Sequence, residues 1–180
     1  MSTQRLQFKD WLPDLPDNSG SLNDAKNVYP VGIGYGAFPS AAEYSNSASE
    51  NLNSVFVAKF GTTIEVFAGS ATKLLNMSSL VLTDVSKSGG YSGSGVFKFE
   101  QFGGVVLACN GTEKIQAWTI GTSTVFADVA SAAPAPKDIA IVRDFVFAAN
   151  IGATPNKVNW SDINDETDWT PGTTSQSDYQ

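Results

Sequence analysis

The hydrophobic residues of this chain occur in short runs rather than at helical spacing. From about residue 53 onward, apolar runs of about four to eight residues, rich in Val, Ile and Phe, are bounded by Gly, Asn, Thr or Ser. Runs of this length between turn-forming residues are typical of β-strands. The pattern therefore predicts an all-β fold for residues 51–180.

Three segments of this region resemble one another. They are SVFVAKFGTTIEVFAG from Ser54, GVVLACNGTEKIQAWTIG from Gly104 and DFVFAANIGATPNKVNWSD from Asp144. Each reads as a strand ending in an apolar residue and Ala, a turn containing Gly, and a second strand that leads to an aromatic residue. The segments begin 50 and then 40 residues apart. A period of about 40 to 50 residues with several short strands per unit predicts β-propeller blades.

The first strands of these segments, SVFV, GVVLAC and DFVFAA, are apolar on both faces, which predicts burial on both sides. The intervening stretches, around FKFEQF and IAIVRD, are predicted to supply the outer strands and the links between blades. About three blades can be found, whereas a closed propeller has at least about four. We therefore expect a propeller that is incomplete at its C-terminal end and is completed by a partner or by further chain. An open β-sandwich is the alternative.

Residues 1–50 have a different texture, with four prolines, several glycines and little periodicity. They are predicted to form an extended N-terminal arm, and the glycines of GIGYG are interpreted as a turn with no strand before it, not as a nucleotide loop. Aromatic residues in an arm can anchor it to a neighbouring subunit or to its own domain. The candidate inter-subunit anchors are Trp11, Tyr29, Tyr35 and Phe38.

The composition argues against catalysis. The chain has no histidine, which removes the most common general base and the most common metal ligand. The only cysteine, Cys109, lies in an apolar run and is expected to be a buried structural residue. Neither a Cys-x-x-Cys pair nor a Walker pattern occurs. We therefore predict that the protein is not an enzyme and binds no cofactor.

The acidic stretch SDINDETDW, from Ser161 to Trp169, is the strongest candidate for a metal site. An EF-hand loop requires Gly at its sixth position, where Thr167 stands. The stretch is therefore predicted to be a solvated turn without a metal.

The balance of charge limits the partners. Eleven basic and eighteen acidic residues give a net charge of −7, so the chain has no evident electrostatic grip on the phosphates of a nucleic acid. DNA could still pass beside an acidic wall. No apolar run approaches the length of a membrane span.

The stretches WLPDLP at Trp11, NVYPVGIGYGAFPS, FKFEQFGGVVLACNGTEKIQAW, IAIVRDFVFAAN and VNWSDINDETDW together resemble the β-propeller virion proteins of tailed bacteriophages. The resemblance extends from about residue 8 to 178, although members of that family are usually much longer. It implies a structural subunit of a tail hub, nozzle or head-to-tail conduit for DNA, forming a homo-oligomeric ring in contact with other tail, adaptor or portal proteins. Such a protein is assembled in the host cytoplasm and resides in the virion tail.

Two other functions are compatible with the sequence. A glycan-binding propeller could use Trp118 and Trp169 as loop contacts for host-surface sugars. A propeller glycan hydrolase would need carboxylates that face each other across about 5 to 10 Å, and no such pair can be named from the sequence.

Overall fold

The computed structural model describes residues 26–31, 34–40, 42–93 and 95–180. Within these ranges the chain forms fourteen β-strands and no helix, which confirms the predicted all-β class. A helix able to span a membrane is accordingly absent from the described ranges. The chain divides into two units between Glu43 and Tyr44.

The described part of the N-terminal unit contains a two-stranded antiparallel hairpin, formed by β1 (Val28–Val31) and β2 (Gly34–Ala37). The prediction that no strand precedes the GIGYG stretch was therefore wrong. Both strands are only four residues long and contain Pro or Gly, which are depleted from strands. Their composition therefore does not indicate strands in the sequence.

The C-terminal unit contains three antiparallel sheets of four strands, and the strands of each sheet are consecutive in the chain. The first sheet comprises β3 (Ser54–Phe60), β4 (Thr63–Gly69), β5 (Leu74–Ser78) and β6 (Val81–Asp84). The second comprises β7 (Lys98–Phe102), β8 (Val105–Cys109), β9 (Gln116–Thr119) and β10 (Ala127–Asp128). The third comprises β11 (Pro136–Val142), β12 (Phe145–Ile151), β13 (Thr154–Trp160) and β14 (Asp178–Tyr179).

The second strands of the three sheets share a sequence motif that recurs every 40 residues. It reads Val66-Phe67-Ala68 in β4, Val106-Leu107-Ala108 in β8 and Val146-Phe147-Ala148 in β12. The unit that repeats along the chain is therefore one four-stranded sheet.

The turn after the motif is also repeated in the first two sheets. Ser70 accepts hydrogen bonds at Oγ from the backbone N–H groups two and three residues ahead, at 3.3 and 2.9 Å. Asn110 stands 40 residues later and accepts the same two bonds at Oδ1, at 3.0 and 2.9 Å. These bonds satisfy donors that the strands cannot.

The sequence-based alignment of the three segments was shifted by one strand in the first four-stranded sheet. It matched Val57-Ala58 of β3, a first strand, with β8 and β12, which are second strands. The reason is that β3 and β4 both contain a Val-Phe pair followed by Ala within two residues.

The predicted double burial depends on the strand. It is confirmed for β8, where Val106, Leu107, Ala108 and Cys109 are at most 1% exposed. It is wrong for β3, where Val55 and Val57 are 67% and 60% exposed. One face of β3 is therefore open to solvent.

Two hydrophobic cores hold the sheets together, and the second sheet contributes to both. Val106 and Ala108 share one core with Phe67 of the first sheet. Leu107 and Cys109 point to the opposite face and share the other core with Val146 of the third sheet. The three sheets therefore stack face to face, with the second sheet in the middle.

Cys109 is a buried structural residue, as predicted. Its side chain is 1% exposed within the core between the second and third sheets. Burial raises the pKa of the thiol to about 12, so it stays protonated and unreactive at neutral pH.

We expect Leu107→Ala to lower the free energy of unfolding by about 2 to 5 kcal/mol, because it removes most of a fully buried side chain and leaves a cavity in the core. Val125→Ala is the control; Val125 is 52% exposed, and the loss there should stay within about 0.5 kcal/mol. Urea unfolding followed by tryptophan fluorescence measures both. Equal losses would contradict the central position of β8.

Candidate assembly surfaces

Two of the four predicted anchors meet on the N-terminal hairpin. Tyr29 on β1 is 43% exposed and Phe38, just after β2, is 64% exposed. Their ring centroids lie 6.1 Å apart in an edge-to-face arrangement, a favourable geometry for aromatic pairs. Tyr35 lies on β2 opposite Pro30, and Trp11 lies outside the described residues. The pair Tyr29–Phe38 is therefore an exposed aromatic patch.

The two indoles proposed as loop contacts are both buried. Trp118 and Trp169 are each 5% exposed and belong to different hydrophobic cores. The Trp118 Nε1–H donates to Glu65 Oε2 at 2.5 Å, and the Trp169 Nε1–H donates to the Glu166 carbonyl at 2.7 Å. Neither ring presents a face on which a sugar could stack.

Polar contacts tie the first sheet to the second. Glu65 of β4 accepts hydrogen bonds from the Trp118 indole and, at 3.0 Å, from the Gly121 N–H. The Gln101 side chain of β7 bonds the backbone of Lys59 in β3 through both its oxygen, at 3.1 Å, and its nitrogen, at 2.8 Å. These bonds fix the relative register of the first two sheets.

The first strand of the second sheet lies close to the first strands of both other sheets. β7 contacts both β3 and β11. A salt bridge between Lys98 and Asp138 links β7 to β11. The sheets therefore converge on the side of their first strands.

A cluster of charged and polar side chains lies where the linker between the first two sheets meets the second sheet. Lys87 Nζ is 2.7 Å from Glu113 Oε2 and 3.3 Å from Asp128 Oδ1. The other carboxylate oxygen of Glu113 accepts from the Ser92 N–H at 3.1 Å and from its hydroxyl at 2.8 Å. Asp128 also accepts from the Gln116 side-chain amide at 2.7 Å.

The electrostatics of this cluster favour its charged form. The hydrogen bond from Lys87, aided by those from Ser92, lowers the pKa of Glu113 to about 2 against partial burial. Partial burial would lower the pKa of Lys87, but the hydrogen bond to Glu113 and the charge of Asp128 outweigh it and raise that pKa. Each charge is paired with one of opposite sign, so the cluster attaches the linker to the second sheet and has no titratable group with a pKa near neutrality.

Three carboxylates of the acidic stretch accept hydrogen bonds from donors in the stretch or in the residues that follow it. Asp165 Oδ1 accepts from the Thr167 N–H at 2.8 Å and from its hydroxyl at 2.6 Å. Asp168 Oδ1 accepts from the Thr170 N–H at 2.9 Å, and Asp162 Oδ1 accepts from the Gln176 N–H at 2.7 Å. Among the residues that the structure describes, no three carboxylate or cysteine ligands gather into a metal site.

The outer face of the first sheet is apolar and is exposed on its β3 side, whereas Ala68 and Leu75 on the same face are buried. Val55 and Val57 of β3 point away from the core that contains Phe56 and Ala58. Ile64, on the same face of β4, is 61% exposed. Adjoining exposed apolar side chains of this kind mark contact sites more often than solvent surfaces.

The outer face of the third sheet is aromatic. Phe147 stacks on Trp160 with ring centroids 5.8 Å apart and touches Phe145 edge-on at 6.5 Å. Val142, on the same face, is 50% exposed. The three-sheet stack therefore ends in a hydrophobic face on both sides.

No family model matches the chain, and no curated protein matches it. The candidate site therefore rests on the geometry alone.

Sequence reasoning missed both outer faces. Val55, Val57 and Phe147 were assigned to doubly buried strands, and the hydrophobic pattern of a strand is the same whether its second face is covered or open. A register based on the 40-residue Val-x-Ala repeat would have identified β3 as a first strand and raised the question of what covers it.

We expect the free energy of unfolding to fall as the pH drops from about 4.5 towards 2, because the unfolded chain takes up a proton at Glu113 before the folded chain does. Glu113→Gln should reduce this pH dependence and should also destabilise the protein at neutral pH. Asp144→Asn, which neutralises an exposed turn residue, is the control and should leave the slope intact. Urea titrations at a series of pH values measure the effect, and an unchanged slope in the Glu113 variant would contradict the assignment.

Proposed function

We propose that this chain is a structural subunit of a bacteriophage or prophage tail, in which its three sheets act as consecutive blades of a β-propeller. The observation that carries the proposal is the stack itself. Three four-stranded meanders follow one another in the chain, the middle one is buried on both faces, and the outer two each present an apolar face. A propeller needs further blades on such faces to close.

The convergence of the first strands supports the blade arrangement. In a propeller the first strands line the axis, so neighbouring blades approach one another there. The contacts of β7 with β3 and β11 have this arrangement. In an open sandwich only two sheets pack face to face, whereas here a third sheet is stacked on the second.

The charges support a passive role beside DNA. A net charge of −7 gives the chain no general attraction to phosphates, and Lys87 and Lys98 are held by carboxylates. A wall of stacked sheets with this charge is rigid and does not retain DNA. The tail location itself rests on the resemblance of the sequence to virion propeller proteins.

The exposed pair Tyr29–Phe38 suits the contact role proposed for the arm. Aromatic side chains that lie on the surface and already pack together lose little conformational freedom on binding. We propose that this pair anchors the N-terminal hairpin on a neighbouring tail protein.

The proposal is tested on density-gradient-purified phage particles from the strain that carries the gene. We expect mass spectrometry to detect the chain in the particles, and immunogold labelling to place it on the tail. A chain that is absent from the particles and binds immobilised bacterial glycans in solution would contradict the proposal and favour a glycan-binding module.

We further expect Tyr29→Ala/Phe38→Ala to lower incorporation into particles several-fold without changing the urea midpoint of the protein, since both rings are exposed. Tyr44→Ala, which removes another exposed aromatic ring, at 72% exposure, is the control. Equal incorporation of all variants would show that this pair is not an anchor.

A further inference from the structure

The two internal contacts between sheets follow one rule. In the first contact, Phe67 of β4 shares a core with Val106 and Ala108 of the following sheet. In the second, Leu107 of β8 shares a core with Val146 and Ala148 of the following sheet. A large side chain on each sheet thus meets a Val-x-Ala surface on the next.

The two outer faces of the stack carry the two halves of this same contact. The third sheet presents Phe147, which stands 40 residues after Leu107 and 80 after Phe67. The first sheet carries Val66 and Ala68, the equivalents of the Val-x-Ala pairs in the other two sheets. The outer face of the third sheet therefore carries the large side chain that packs on a following sheet. The outer face of the first sheet carries the Val-x-Ala pair on which a preceding sheet packs.

The exposures of equivalent residues identify the missing contact. Val55 and Val57 pair with Ala68 and Val66, just as Ile139 and Ile141 pair with Ala148 and Val146. Ile139 is 9% exposed beneath the second sheet, whereas Val55 is 67% exposed. Ala68 is buried as Ala148 is, so the first sheet lacks its cover on the β3 side, around Val55 and Val57.

We propose that a second copy of this chain supplies the cover, with the third sheet of each copy packed on the first sheet of the other. Two copies contribute six sheets, which lies within the usual range of about four to eight propeller blades. The contact is head-to-tail, and such a contact closes into a ring of two when the rotation between the copies brings both pairs of end faces together. It continues the packing rule of the two internal contacts, so it requires no new kind of surface.

This inference rests on the blade arrangement in the proposed function but not on the location in a phage tail. Sedimentation equilibrium of the purified 180-residue chain tests it. We expect a species of twice the 19.0 kDa monomer mass. A monomer at about 100 µM, or an oligomer larger than a dimer, would overturn the two-copy ring, while detection in virions would be unaffected.

Charge substitutions distinguish the proposed contact from other dimers. Val57→Glu on the first sheet and Val142→Glu on the third should each raise the dissociation constant roughly 100-fold or more, because each buries an unpaired charge in the contact. Val125→Glu, which charges a comparably exposed valine in a loop of the second sheet, should leave it unchanged. A dimer weakened by only one of the two end-face variants would use a like-to-like contact and would overturn the head-to-tail arrangement.

Folding of each variant is checked by its urea midpoint. If Val57→Glu fails to fold, Ile64→Glu on the same face, at 61% exposure, replaces it. Mixing the two end-face variants provides a second test, because a mixed pair has one contact that carries both charges and one that is unmodified. We expect the mixture to dimerise more tightly than either variant alone, and a mixture no tighter than the variants would overturn the proposal.

Discussion

The burial of β8 on both faces is the constraint on which the rest of the fold depends. Four consecutive side chains of this strand, Val106 to Cys109, alternate between two cores and are at most 1% exposed. Each large apolar side chain buried in this way contributes about 1.5 to 3 kcal/mol. A strand that must be covered on both faces cannot belong to a single sheet open to water, so it forces sheets onto both sides of itself.

Apolar contacts stabilise the packing of the sheets on one another, and polar contacts fix the relative position of the sheets. Hydrophobic contact has little directional preference, and two flat sheets could slide along each other at small cost. Glu65 and Gln101 join specific positions on the first two sheets, and the Lys87–Glu113 pair joins the linker between them to the second sheet. They sit at the ends and edges of the cores, where partial exposure keeps the cost of desolvation low. These bonds therefore add register to a stack whose stability comes from apolar burial.

Much of the local structure can be predicted from this sequence, whereas the arrangement of its strands cannot. Apolar runs between turn residues correctly indicate the all-β class, the hairpin at Gly61-Thr62 and the burial of Cys109. The position of a strand within its sheet depends on contacts far away in the chain, so β3 and β4, with nearly the same motif, could not be told apart. The roles suggested for Trp118 and Trp169 depended on exposure, which a sequence pattern does not contain. The short strands around Pro30 were hidden because their pairing overrides an unfavourable composition.

A repeat of this kind has a physical consequence at its ends. Each four-stranded unit uses one face to pack on the unit before it and the other to pack on the unit after it, so neither face can be polar without breaking the stack. Repeat arrays that stand alone replace the outer faces with polar capping units. The outer faces here instead keep Val55 and Val57 on one side and Phe147 and Trp160 on the other. The end units thus keep apolar side chains of the kind that the middle unit buries on both of its faces.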